Sequence, residues 1–117
     1  MTEEMPPPGR ERDEQIAKAL GWTRISLSYR VFSIGLAPDA NNMAEVPEYS
    51  TTNACMELLA YVREQGAEYR LEGNRHGKNE VRCEMYEPRH FNGAEGKDEA
   101  AVISETFLLW MRARERA

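Results

Sequence analysis

Apolar and polar positions along this chain fall into two periods. In RERDEQIAKALGW (10–22), Ile16, Ala19 and Leu20 stand at helical spacing behind Glu11, Asp13 and Glu14, acids that suit the positive end of a helix dipole. Gly21 follows where a left-handed residue would end the helix, with Trp22 folding back over its last turn. RISLSYRVF then switches to period two. Ile25, Leu27, Tyr29 and Val31 alternate with Arg24, Ser26, Ser28 and Arg30, the pattern of a half-buried strand. From Ser33 to Val46 come turn signals, Gly35, Pro38-Asp39 and Asn41-Asn42, so a long loop is expected there, one able to carry function.

The stretch VPEYSTTNACMELLAYVREQG (46–66) opens a second helix. Pro47 disfavours helix before it, Ser50 or Thr51 can cap the first free amides, and Gly66 ends the segment. Cys55, Leu58, Leu59 and Val62 form one apolar stripe at i, i+3, i+4 and i+7. AEYRLE and EVRCEMY alternate again, placing Tyr69, Leu71, Val81, Cys83 and Met85 on one side of an antiparallel hairpin turned by GNRHGKN. EPRHFNGAEGK reads as loop. Asp98 then caps a final helix to about Arg114, with Ile103, Phe107, Trp110 and Met111 as its stripe and Arg112, Arg114 and Arg116 suited to its negative end.

The order is α-β-α-β-β-α, an α+β domain over residues 10–117 with an antiparallel sheet of about three strands and helices packed on it. The expected core is Ile16, Leu20, Leu58, Leu59, Val62, Tyr69, Leu71, Val81, Met85, Ile103, Phe107 and Trp110. Residues 1–9 (MTEEMPPPG) are expected to be a flexible leader, since three prolines cannot propagate a helix and nothing there is suited to a core.

Composition narrows the function more than it names it. The 117 residues carry a net charge of −5 with acids and bases interspersed, so broad attraction to a phosphate backbone is not expected. Neither a signal peptide nor an apolar run of membrane-spanning length is visible, which makes a cytoplasmic protein the default. Cys55 and Cys83 both fall on inward faces and read as small hydrophobes rather than nucleophiles. His76, Cys83 and His90 are too evenly spread for the closely paired ligands of a zinc site. GNRHGKN joins strand to strand, unlike the nucleotide loops that lead into a helix N-terminus. No serine–histidine–acid set or paired carboxylates can be assembled, so neither an enzyme nor a cofactor is expected.

What remains is binding. The strand faces that carry Arg30, Arg70 and Arg82 would serve in solution as ladders of ion pairs, or could receive a partner. The segment Arg89, His90, Phe91, Asn92 sets an aromatic between basic and amide side chains, as binding anchors often do; burial of Phe91 under the hairpin is the plainer expectation.

Gly21-Trp22 closing a first helix, then Pro47, Tyr49-Ser50-Thr51 and Ala54 opening a second, followed by a hairpin and a terminal helix, resemble the phage ABA sandwich domain family, small proteins of bacteriophages and prophages. The resemblance runs from about residue 11 onward and implies helices on both faces of a sheet. The single polar face of each strand instead fits helices on one side only. It also implies a phage or prophage accessory protein, of a family with no generally assigned activity. A small acidic domain without catalytic residues is expected to act by binding a bacterial host protein, with blocking of a defence component (anti-CRISPR or other anti-defence) the favoured use. The alternatives are a sponge for a nucleotide signal and a structural phage protein, a homodimer being one form it could take. Contact is expected on loops 33–46 and 87–97 and on the Arg70–Arg82 face.

Overall fold

The computed structural model describes residues 5–28, 32–73 and 80–116. Helix α1 (Arg10–Ala19) carries Glu11 and Asp13 in its first turn and buries Ile16 and Ala17. Its end is a Schellman turn: Trp22 N–H donates to Ala17 O at 2.9 Å, and Gly21, at φ 98°, donates to Lys18 O at 3.1 Å. Helix α2 (Met56–Glu64) ends the same way, with Gly66 at φ 85° and Ala67 N–H donating to Val62 O at 3.1 Å. Both stops were legible from the glycines. The start of α2 was not. Neither Ser50 nor Thr51 caps it; Thr52 Oγ1 accepts from Ala54 N–H at 3.2 Å, and a 3-10 turn (Asn53–Cys55) precedes the helix. Cys55, Leu58, Leu59 and Val62 are buried, as their spacing requires.

The segment expected as a strand and a long loop is a small sheet. Strand β1 (Thr23–Ser28) pairs antiparallel with β2 (Phe32–Leu36), which pairs with β3 (Ala44–Glu45). Tyr29, Arg30 and Val31 lie outside the described residues. The inward positions of β2 are Ser33 and Gly35, and that is why it read as loop. They are small because the chain packs hard there: a Cβ on Gly35 would come within 3.0 Å of Ile25 Cγ1 and 3.2 Å of Trp22 Cε3. The register slips between Thr23 and Ser26 beside Arg24 at φ 54°, and Leu27, expected inward, is 44% exposed.

The second sheet has the order β4-β5-β6. Strands β4 (Glu68–Glu72) and β5 (Val81–Glu87) form the expected hairpin, Tyr69 opposite Met85 and Leu71 opposite Cys83. Strand β6 (His90–Gly96) is the correction here, for it occupies the segment expected as loop 87–97. Its glycines face close neighbours; a Cβ on Gly96 would lie 3.2 Å from Val102 Cγ2. Asp98 Oδ2 accepts from Ala101 N–H at 2.9 Å and starts α3 (Glu99–Arg116).

The fold is α+β, and the described residues form three α-helices and two three-stranded antiparallel sheets rather than one. Helix α3 packs on β5 and β6, α2 on β4, and α1 on both α3 and the first sheet, so contact runs from one sheet through the helices to the other. At its centre Tyr61 meets Phe107 edge-on at 5.8 Å, and Phe107 lies 6.0 Å from Trp110. The leader is also corrected in part. Pro6 is buried and Met5 packs against the core.

Candidate interaction surface

Strand alternation divides the second sheet into two faces. Tyr69, Leu71, Val81, Cys83, Met85, Asn92 and Ala94 face the helices. The other side carries three cross-strand rows: Glu68, Tyr86 and Phe91; Arg70, Glu84 and Gly93; Glu72, Arg82 and Glu95. Of these, Glu68, Arg70, Tyr86, Phe91 and Glu95 are exposed.

The charged rows are tied together. Arg70 Nη2 sits 2.6 Å from Glu72 Oε1, and Arg82 Nε donates to Glu84 Oε2 at 2.9 Å while its Nη1 lies 3.8 Å from Glu95. Arg82 can reach both acids because Gly93 leaves room; a Cβ there would stand 3.2 Å from Arg82 Nη2. With Glu68 of the third row counted, four carboxylates against two guanidiniums leave the whole face a net charge of −2. The remaining row is apolar at one end, with Tyr86 40% and Phe91 62% exposed on paired positions. Burial of Phe91 under the hairpin is thereby overturned, because the strand phase turns it outward.

Of the residues singled out from sequence, the structure brings Arg70, Arg82 and Phe91 onto this face. Arg89 is exposed in the β5–β6 turn, and His90 stands opposite Glu87 on the helix side of the sheet edge. Asn92 faces the helices beside Met85, its Nδ2 buried with no hydrogen-bond partner among the described residues, so it does not belong to the surface. Arg30 and His76 lie outside the described residues. Tyr86 was missed, although it shares the phase of Arg82 and Glu84.

A second polar cluster is structural. Ser50 is fully buried; its hydroxyl donates to Asp13 Oδ1 at 2.6 Å and accepts from Gly9 N–H at 2.8 Å, and its own N–H reaches the same carboxylate at 2.8 Å. Arg12, also buried, donates to Pro6 O at 2.8 Å, Ala101 O at 2.9 Å and Ser104 Oγ at 3.1 Å. Burial pushes the Asp13 carboxyl up and the Arg12 guanidinium down, each partly offset by its neighbours. Burial also pushes Tyr49 up to about 12, against the pull of a hydrogen bond from Trp22. Trp22, Tyr49 and Ser50, which carried the family resemblance, thus hold the fold together. The thiols are raised as well, Cys83 to about 11, chiefly by burial. Among the described residues no group of His, Cys, Asp and Glu could hold a metal, and no helix is long and apolar enough to cross a membrane.

No family model matches the chain, and no curated protein does. The fold is similar to the crystal structure of a phage protein from Bacillus cereus ATCC 14579, with a TM-score of 0.60 over 92% of this chain and 94% of that one at 12% identity. At that identity the likeness is one of fold.

Proposed function

We propose that this is a phage- or prophage-encoded binding protein that docks a bacterial host protein on the open face of β4–β6. One observation carries the reading: Tyr86 and Phe91 lie exposed side by side on a sheet face otherwise made of charged side chains. Exposed aromatics beside arginines are what hot spots of protein interfaces are made of. The excess of carboxylates selects a partner with basic residues around an apolar anchor site. Three strands of up to seven residues span about 14 by 24 Å, roughly 340 Å² of projected face. A stable complex needs about 800 Å² per side. The partner must therefore also grip the margin, and the exposed Pro88-Arg89 turn is the nearest.

Within this reading the host protein is a defence component. An RNA-guided nuclease holds its heteroduplex in a positively charged channel, a surface of the required sign. The likeness to a phage protein supports the same direction at the level of fold. The test is plating of a targeted phage on cells whose RNA-guided nuclease is active, with and without this protein. Rescue by the wild-type chain and loss of rescue in Phe91→Asp are expected. Unchanged plating across a panel of defence systems overturns the anti-defence role. Micromolar binding of a cyclic or linear nucleotide by calorimetry, with no protein bound, would establish the sponge instead.

A further inference from the structure

The β5–β6 turn and the last turn of α3 flank a shallow, open depression of about 370 Å³ lined by Glu87, Pro88, Arg89, His90 and Arg114. We propose that it is an oxyanion site, taking one phosphate or carboxylate group. It adjoins the docking face at the Pro88-Arg89 turn but opens on the opposite side, since Glu87 and His90 form the row next to Tyr86 and Phe91 on the helix side of the sheet.

Two guanidiniums against one carboxylate locally reverse the sign of a chain whose net charge is −5, and the His90 ring adds a further polar group. That carboxylate orients rather than fills the site. Glu87 Oε1 lies 3.5 Å from Arg114 Nε, and the Arg114 guanidinium stacks 4.6 Å over the Trp110 ring, which fixes the side chain by its inner nitrogen and its plane. The two outer nitrogens have no acceptor among the described residues, and neither Arg89 nor His90 has a hydrogen-bond or ion-pair partner there. Arg12, Arg70, Arg82 and Arg112, by contrast, are all engaged within the chain. A planar fork of donors held in place is the geometry that phosphate and carboxylate oxygens match. The larger groove of about 550 Å³ between α1 and α3 lacks this feature: Arg112 there donates to Gln15 Oε1 at 2.9 Å, and Glu115 offsets Lys18. The negative end of α3 lies close to the depression and opposes an anion, so affinity in the millimolar range is expected.

The test is an NMR titration of the ¹⁵N-labelled full chain with inorganic phosphate, 5′-AMP and acetate at constant ionic strength, with wild type, Arg89→Ala, Arg114→Gln and the distant control Arg24→Ala. Saturable shifts confined to residues 87–91 and the end of α3 are expected, weakened at least fivefold by Arg89→Ala and unchanged by Arg24→Ala. Arg89 is exposed and makes no contact that folding needs, so its variant keeps the test open if Arg114→Gln is unstable. Tighter AMP than phosphate identifies a nucleotide-like source, and acetate matching phosphate identifies a carboxylate. Linear, non-saturating shifts, or equal affinity in Arg89→Ala, overturn the site whatever the outcome for the docking face.

Discussion

Three consecutive hydroxyl side chains, Ser50, Thr51 and Thr52, should differ sharply in what they contribute. Ser50→Ala removes a hydrogen bond to a carboxylate, worth about 1.5–3 kcal/mol, and leaves Gly9 N–H without its acceptor, about 0.5–1.5 kcal/mol more. Some is recovered because a buried methyl needs no partner, so a loss of about 2–4 kcal/mol is expected. Taking about 2.1 cal/mol/K of unfolding entropy per residue, this lowers Tm by roughly 8–16 °C. Thr52→Ala loses two exposed bonds, the cap on Ala54 and the hydroxyl's bond to Glu48 O, together about 1 kcal/mol. Thr51→Ala, with an exposed side chain that makes no hydrogen bond, should stay within about 0.5 kcal/mol. Urea denaturation followed by Trp22 and Trp110 fluorescence at pH 7 gives all three. Ser50→Ala within about 0.5 kcal/mol of Thr51→Ala would refute the reasoning. So would a double-mutant cycle with Asp13→Asn whose coupling is below about 0.5 kcal/mol.

Other expectations follow from the same packing. Phe107→Ala, at a fully buried ring between Tyr61 and Trp110, should lose about 3–5 kcal/mol in the same assay. Cys83, pushed up to about 11, and buried Cys55 should resist a thiol reagent at pH 8 in the folded protein and react promptly once unfolded; rapid native reaction would contradict their burial. Because the Asp13 carboxyl is raised when folded, the native state binds more protons than the unfolded one between the ordinary value of 3.8 and its own pKa. The wild type should therefore gain stability relative to Asp13→Asn as pH falls through that window, and a flat difference in pH-dependent urea midpoints would count against it.

The helices were legible from their apolar stripes, and α1 and α2 also from glycines at left-handed stops. Strands β2 and β6 were hidden by their inward residues. Ser33 and Gly35 on one, and Ala94 and Gly96 on the other, are small, Gly35 because Trp22 and Ile25 crowd it and Gly96 because Val102 does, and small residues read as loop. Taking β6 for loop also hid its phase. Phe91 and Asn92 looked like one cluster, yet neighbours on a strand face opposite ways, which splits the aromatic from the amide. Arg12 and Asp13 were lost for another reason: acids and bases in a first turn normally stay solvated, and only tertiary contact with Ser50, Ala101 and Ser104 buries them.

That the open face of β4–β6 holds a protein partner is tested most directly by a photo-crosslinking amino acid placed, in separate variants, at positions 70, 86 and 91 and at positions 18 and 115 in the α1–α3 groove, with irradiation inside the bacterial host. The account predicts a shared adduct to one host protein from the sheet positions and none from the groove. An adduct from the groove alone would contradict it, as would sheet positions that crosslink to nothing or only to a second copy of this chain.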